Sequence, residues 1–212
     1  MTLRETVLAA AISGIAVTGA AAQSWEAPTY FAPRLHDDIG LYLVDTEGSG
    51  GAGIASIWRQ SGNLNLGVRG GVAPGPFDWM LGVEMYGPLD LGLTSPVALA
   101  WIVGAGGLFG GDSRGSDVTA VRIPAGVSVG LNLEAGGATI VPYVHPRAAF
   151  DLRIFSTDGE EETDSEVNVD VDLGADVLLG GRFIVRGGVT LGDFTTFGAG
   201  VAYRIPRGIA VR

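Results

Sequence analysis

The stretch that decides the fold is Val167–Gly180, VNVDVDLGADVLLG. Its odd-numbered residues are all Val, Leu or Ala, whereas its even-numbered residues include three Asp. A period of two indicates a β-strand, because successive side chains point to opposite faces. The alternation lasts about 13 residues, which exceeds an average strand and is long enough to cross a bilayer with a tilt. The stretch therefore predicts lipid on one face and a polar, enclosed interior on the other.

The composition excludes several classes of function. The 212-residue chain has no cysteine, so disulfides, thiol catalysis and Cys-based zinc sites are excluded. All 13 basic residues are Arg, and the net charge of −10 argues against a nucleic-acid partner. The 35 glycines are spread along the chain and fit sharp turns and close strand packing.

The chain divides into a leader, a lead-in, a barrel and a tail. Residues 1–22 are predicted to be a secretory signal peptide, with an apolar stretch Val7–Val17 and a small-residue site Ala20–Ala22. Residues 23–38 contain Pro28 and Pro33 and are predicted to be an irregular lead-in on the periplasmic side. Residues 39–205 are predicted to form the β-barrel, and residues 206–212 a C-terminal tail. No later apolar run is long enough for a spanning helix, so crossing a membrane would require a closed barrel.

Repeated alternation predicts an all-β, antiparallel, up-and-down transmembrane barrel of about ten strands. The predicted strands are Ile39–Glu47, Ala52–Arg59, Leu64–Val72, Trp79–Tyr86, Val97–Phe109, Val118–Asn132, Ala138–Phe155, Val167–Gly180, Phe183–Leu191 and Thr195–Ile205. Pro142 and Pro146 predict a bulge or bend in the seventh strand, since proline cannot donate to a sheet ladder. Eight strands remain possible if the first hairpin is irregular, and twelve if these prolines mark a turn.

The connections predict the orientation of the barrel. If both termini are periplasmic, the odd-numbered connections face outward and should be the longer polar ones. Glu47–Gly51, Gly110–Asp117 and Ser156–Glu166 fit this pattern. Aromatic residues also gather near predicted strand ends, as in the interfacial girdles of membrane barrels; Trp79 and Phe109 lie near outer ends.

The polar faces of the predicted strands carry nearly balanced charge. Charged groups in a narrow interior must be paired or hydrated, so we expect an Arg–Asp network that fills the lumen. The predicted members are Arg69, Glu84, Arg122, Arg147, Asp151, Arg153, Asp170, Asp172, Asp176, Arg186 and Arg204. A polar channel lined by the same groups is the alternative, although an eight-stranded interior is only just wide enough for side chains.

Other motifs favour structural roles. The acidic stretch Asp158–Glu166 has no EF-hand spacing and is predicted to be a solvated loop rather than a calcium site. Gly48–Gly53 spells GxGxxG but precedes no helix, so it is predicted to be a turn. His145 lies on a polar face, where a structural hydrogen bond is favoured over acid–base catalysis. We therefore predict no enzyme activity, no metal and no cofactor.

The last predicted strand contains the sequence GAGVAYRI, Gly198–Ile205. It resembles the C-terminal assembly signal of small bacterial outer-membrane β-barrel proteins, with Gly200, Tyr203 and Ile205 at the spaced positions. The chain departs from that pattern by continuing through Pro206–Arg212. The resemblance implies an outer-membrane location, outer-membrane lipid as surroundings, and the barrel-assembly machinery as a partner during biogenesis.

Three functions remain open at this point. The first is a barrel with a charge-paired lumen and a structural or surface-interaction role. The second is a narrow porin-like channel for ions or small solutes. The third is a soluble secreted β-sandwich or lipocalin-like binder, in which the aliphatic face would be a core. The sequence specifies neither a ligand nor an oligomeric state.

Overall fold

The computed structural model describes residues 28–34, 36–46, 51–72, 79–92, 96–111, 117–157, 160–192 and 195–206. The predicted signal peptide and residues 207–212 of the predicted tail lie outside these ranges. The strands are β1 (Asp38–Thr46), β2 (Gly51–Gln60), β3 (Asn65–Val72), β4 (Trp79–Pro88), β5 (Val97–Gly111), β6 (Asp117–Leu131), β7 (Leu133–Ala135), β8 (Ala138–Thr157), β9 (Glu160–Leu179), β10 (Phe183–Leu191) and β11 (Thr195–Arg204).

The strands form one closed antiparallel sheet. Each strand pairs with the next, except that β6 and β7 both pair with β8, and β1 pairs with both β2 and β11, which closes the barrel. The short β7 pairs with β8 in the same register as β6 does, so β6 and β7 are one strand interrupted at Asn132. The result is a ten-stranded barrel, as the sequence predicts. A two-sheet sandwich is excluded for the described strands, because all of them belong to this sheet.

The two faces of the wall differ in chemistry as the alternation predicts. Leu41 and Leu43 on β1 are each 61% exposed, and Val169 on β9 is 72% exposed. Asp170 and Asp172 on the same β9 strand are buried in the interior. Such an extensive apolar outer surface is unusual for a soluble monomer and fits contact with lipid. No helix in the described ranges is long and apolar enough to span a membrane.

The sequence predicts a bulge or bend at Pro142 and Pro146; the structure shows no bulge there, so this part of the prediction is wrong. The β8–β9 ladder keeps one register from Ala138↔Leu179 to Thr157↔Glu160. The β6–β8 pairing also keeps its register, with gaps in the ladder that lie opposite the two prolines. The prolines are four residues apart, so both missing donors face the same neighbour. The strand keeps its register because the ladder on its other edge, with β9, is complete.

The acidic loop predicted at Ser156–Glu166 is also wrong for most of its length. Residues 160–166 belong to β9 and pair with β8, which extends the hairpin beyond the apolar band. Arg153 faces Asp164 across this extension, and its guanidinium lies 3.8 Å from the Glu166 carboxylate. Cross-strand pairs of opposite charge favour continued pairing. Sequence pattern alone missed this because the extension has no aliphatic face.

The lead-in does not run beside the barrel but inside it. Residues 28–34, here called the lumen segment, have no regular secondary structure. Tyr30 and Phe31 are each 1% exposed, and their partners lie on strands around the whole barrel. The sequence predicts residues 23–38 to be a periplasmic lead-in. This expectation needs correction for residues 28–34, which occupy the lumen.

A charge placed on the outer face should disrupt the barrel. Leu173→Arg introduces a cation in the middle of the aliphatic face of β9, where the cost in a bilayer is about 2–4 kcal/mol. We expect lower stability in urea and less of the heat-modifiable folded form on gels. Thr163→Arg is the matched control, because Thr163 is on the same side of β9 but in the hairpin extension. Equal effects of the two substitutions would contradict the assignment of the lipid face.

Candidate functional site in the barrel lumen

One group of charges joins strands β2, β3 and β4. Arg59 Nε donates to Glu84 Oε1 at 2.6 Å, and Arg69 Nε donates to Glu84 Oε2 at 3.1 Å. A second bond joins Arg69 Nη2 to the same Oε2 atom. Glu84 and Arg59 are buried, so this carboxylate is compensated by two guanidinium groups away from bulk water. The sequence predicts Arg69 and Glu84 as members but misses Arg59.

A second group joins β6, β8 and β9. Arg147 lies between two carboxylates, 3.2 Å from Asp170 Oδ2 and 3.3 Å from Asp172 Oδ1. Arg122 forms an ion pair with Asp170 and lies 3.5 Å from Asp151. The alternation on β9 thus places its Asp residues within reach of Arg147 on the neighbouring β8 and of Arg122 on β6, one strand further. All five of these predicted residues meet in one chain of ion pairs.

A third group centres on Arg186 of β10. Its Nε donates to Asp176 Oδ2 at 2.9 Å, and its Nη2 donates to Asp38 Oδ2 at 2.7 Å. Nη1 donates to the Tyr42 hydroxyl at 2.8 Å. Arg186 therefore bridges β9 and β1 across the closing strands of the barrel. The sequence predicts Arg186 and Asp176, whereas Asp38 was assigned to the lead-in.

Two predicted members lie away from these groups. Arg153 is in the hairpin extension, with Glu166 as its partner at 3.8 Å. Arg204 is the last residue of β11 and pairs with Asp38 in the β1–β11 ladder. These two residues mark opposite ends of the lumen. The missed Asp38 and Arg59 could have been found by extending the alternation of β1 and β2 to the strand ends.

The lumen segment is held through its backbone. Thr29 donates to Asp172 Oδ2 from its backbone nitrogen at 3.1 Å and from Oγ1 at 2.7 Å. Arg59 donates to the carbonyl oxygens of Thr29 and Tyr30, each at 2.8 Å. Ser128 Oγ donates to the Phe31 carbonyl oxygen at 2.6 Å. Charged side chains of the wall thus satisfy the polar groups of an irregular segment that has no sheet partner.

Aromatic contacts hold the side chains of the lumen segment against the barrel wall. The Tyr30 ring stacks on Tyr42 with centroids 4.5 Å apart. Phe31 packs edge-on against Tyr86 at 5.7 Å, and the Arg59 guanidinium lies 5.6 Å from its ring centroid. These contacts add directional attraction to the burial of two large rings.

Glycines in the wall make room for the segment. A Cβ atom at Gly130 would lie 2.8 Å from Pro33 Cγ, and one at Gly188 would lie 3.2 Å from Pro28 Cβ. A Cβ at Gly198 would overlap the Tyr30 hydroxyl oxygen. The Gly-rich pattern of the inner face is therefore a space requirement at these positions. Sequence analysis assigned the glycines to turns and strand packing and did not foresee an occupant.

His145 connects the charge network with the lumen segment. Its Nδ1 lies 2.7 Å from Thr29 Oγ1 and 3.2 Å from Asp172 Oδ2. Because Thr29 Oγ1 donates to Asp172, Nδ1 is the donor toward Thr29. The Nε2 atom is buried without a hydrogen-bond partner in the described part of the protein. His145 lines a cavity of about 20 Å³, which is room for about one water molecule.

Metal ligation has no support among the described side chains. They include no group of three or more His, Cys, Asp or Glu residues able to hold an ion. The acidic side chains of the lumen are instead engaged by arginines. The site is therefore described by ion pairs and by the lumen segment.

His36 lies between the lumen segment and β1. Burial and the positive charges of Arg204 and Arg34 lower the pKa of His36 from 6.5 to about 4. The folded protein therefore keeps His36 neutral in a pH range where the unfolded chain binds a proton. Its contribution to stability is complete above about pH 6.5 and is lost as the pH falls toward 4.

The closed sheet, the aliphatic outer face and the charged interior define a transmembrane β-barrel. Its fold is that of bacterial outer-membrane β-barrel proteins, so the predicted resemblance is confirmed at the level of fold. No family model matches the chain, and no curated protein is similar to it in sequence.

Several solved structures share the arrangement at low identity. Ail, the attachment invasion locus protein of Yersinia pestis, is 12% identical with a TM-score of 0.44, over 79% of this chain and 95% of that one. The N-terminal β-barrel domain of Pseudomonas aeruginosa OprF is 11% identical with a TM-score of 0.36, over 80% and 98%. Neisserial surface protein A is 10% identical with a TM-score of 0.37, over 79% and 94%. Likeness at this level carries no information about function.

Removing one partner of the central ion pairs should destabilise the barrel strongly. Arg186→Met leaves the buried Asp38 and Asp176 without their shared cation, which typically costs about 3–5 kcal/mol. Arg153→Met is the control, because it lies 3.8 Å from Glu166, whose side chain is 44% exposed, and such exposed pairs contribute less than about 1 kcal/mol. The free energies of unfolding are measured by urea titration in detergent. Similar losses of unfolding free energy for both variants would contradict a larger contribution from the buried lumen pairs.

The protonation of His36 provides a second test. We expect the free energy of unfolding of the wild type to fall between pH 7 and pH 5, because protons bind the unfolded chain first. His36→Asn removes this titration and should show a smaller loss over the same interval. Parallel pH profiles for the two proteins would contradict a buried, neutral His36.

Proposed function

We propose that the protein is a small bacterial outer-membrane barrel, exported through a signal peptide, whose closed lumen suits a structural or surface-interaction role. The observation that carries this proposal is the occupied interior. The lumen segment passes between Asp172, Arg59 and Ser128, which lie on different walls of the barrel. Conduction needs a continuous hydrated path, whereas two cavities lined by described residues of the segment have volumes of only about 20 and 10 Å³.

A surface role is supported by the asymmetry of the two ends. Both described chain ends, near residues 28 and 206, attach to the same end of the strands. The opposite end carries the extension of β8 and β9, where Glu161, Glu162 and Asp164 are exposed. If the termini are periplasmic, this acidic hairpin projects outside the cell. It would repel anionic partners and favour cationic or neutral ones.

The proposed surroundings follow from the outer face. Outer-membrane lipid covers the aliphatic residues of the wall, and the barrel-assembly machinery inserts the chain during biogenesis. An enzyme role is not part of the proposal, since the Nδ1 atom of His145 already contacts Thr29 Oγ1 and Asp172 Oδ2. A soluble lipocalin-like binder is disfavoured, because its apolar side chains would face the interior rather than the outside.

A narrow channel for ions or small solutes is the second candidate. It is favoured by the fact that the obstruction is a segment outside the sheet, while the wall itself is lined by charged residues and by glycines. A barrel of ten strands is somewhat wider than the eight-stranded barrels that side chains just fill.

Planar-bilayer recordings distinguish these candidates. The refolded protein, shown to be folded by its shift between unboiled and boiled samples, is added to a bilayer in potassium chloride. A closed barrel should give no resolved current steps at moderate voltage. Regular steps of uniform size from the wild type would contradict the closed-lumen proposal and support the channel.

A further inference from the structure

We infer that the lumen segment, residues 28–34, is a displaceable plug, and that the barrel conducts ions once the plug is withdrawn. The inference builds on the proposed closed lumen and adds a gated function to it. Four features of the structure support it: the independent closure of the sheet, the duplicate partners of the wall charges, the glycine gaps, and the strained backbone of Tyr30.

The sheet closes without the plug. The β1–β11 ladder runs from Asp38↔Arg204 to Val44↔Gly198, and the lumen segment belongs to no strand of the sheet. The segment enters the interior from the end where β1 begins. Its withdrawal through that end breaks no sheet ladder, so the wall of the barrel is preserved.

The charged groups that hold the plug have other partners in the wall. Arg59 and Arg69 both pair with Glu84. Asp172 lies 3.3 Å from Arg147 and accepts a hydrogen bond from Thr190 Oγ1 at 2.8 Å. Withdrawal of the plug therefore leaves no buried charge uncompensated, and the freed donors can be hydrated. This separates the plug from an ordinary core segment, whose loss would leave polar groups unsatisfied.

The wall is shaped so that withdrawal leaves space. The plug packs against Gly130, Gly188 and Gly198, which have no side chains to fill the gap. The strands on which they lie are fixed by ladders on both sides, so the wall resists collapse. Water and ions can then occupy the volume that the plug leaves, in contact with the arginines and carboxylates.

The plug is held in place by its surroundings and not by its own backbone preference. Tyr30 has a φ of +51°, a left-handed conformation that is strained for a non-glycine residue. Such strain persists where the surroundings hold the residue, and here the Tyr42 ring and the Arg59 guanidinium do so. Release of the strain favours the withdrawn state.

The test compares conductance of folded variants in planar bilayers containing potassium chloride. Deletion of residues 28–34 removes the plug, and Gly198→Val places a side chain where the Tyr30 hydroxyl lies. Gly187→Val is the matched control on the adjacent strand, since a Cβ there has only Gly198 O within 4 Å, at 3.9 Å. All variants are first checked for the gel shift on heating.

We expect resolved current steps from the deletion variant and Gly198→Val, and no steps from the wild type and Gly187→Val. A folded deletion variant that stays silent would overturn the plug while leaving the closed-lumen proposal intact. A wild type that conducts as well as the deletion variant would overturn both.

Cysteine labelling tests withdrawal in the full-length barrel, where the absence of native cysteine gives a clean background. Ala32→Cys lies on the plug, and Ala202→Cys lies on the inner wall in a cluster with Leu178 and Ile184; both sites are buried. A water-soluble methanethiosulfonate reagent applied to proteoliposomes should modify the Ala32→Cys variant faster than the Ala202→Cys variant. Equal rates at the two sites, or no reaction at position 32, would overturn the inference even if the deletion variant does not fold.

Discussion

The structure depends on one constraint: in hydrocarbon, every backbone polar group needs a partner within the protein. The β1–β11 ladder meets that constraint by joining the first strand to the last. Once the sheet is closed, the period of two sends aliphatic residues outward and Asp, Arg and Gly inward. The aliphatic outer face is then in contact with lipid, but the inner face holds charges that need partners within the protein. The ion pairs of the lumen are a consequence of closure.

The interior answers this need in two layers. Arginines on β2, β3, β6, β8 and β10 neutralise carboxylates on β1, β4, β8 and β9. The lumen segment then occupies the remaining space and uses the spare donors of Arg59 for its carbonyl oxygens. The charged residues of the wall are thus paired with one another, whereas the backbone carbonyl oxygens of the segment need donors from the wall. Because the wall does not need the segment for its ion pairs, we treat the segment as a plug and not as part of the core.

The sequence predicts most of the wall because most of its strands show a local period of two. The alternation of Val167–Gly180 assigns its faces correctly, and Phe183–Leu191 is predicted with its observed bounds. The hairpin extension at residues 160–166 escapes prediction, since its pairing depends on the register inherited from Asp151↔Glu166 rather than on an aliphatic face. Pro142 and Pro146 mislead for a related reason: which neighbour lacks a donor depends on strand order in space.

The site is predictable only in part, because the lumen segment has no period. Arg147, Asp170 and Asp172 could be placed on the inner face by counting residues. Nothing in the local pattern around Thr29 or Tyr30 indicates that their carbonyl oxygens meet Arg59, some 30 residues further along. Contacts of this kind arise when a closed wall surrounds an irregular segment, which is a property of the whole fold.

The most direct test of the central claim is spin labelling along β9 in lipid vesicles. Single cysteines at successive positions from 167 to 179 carry a nitroxide, and its collision rates with oxygen and with a water-soluble nickel complex are measured. The account predicts a period of two, with odd positions such as Val169 and Leu173 accessible to oxygen in the bilayer and even positions such as Asp170 shielded from it. Odd positions that respond to the aqueous nickel complex instead would show that this face meets water, and the membrane barrel would be wrong.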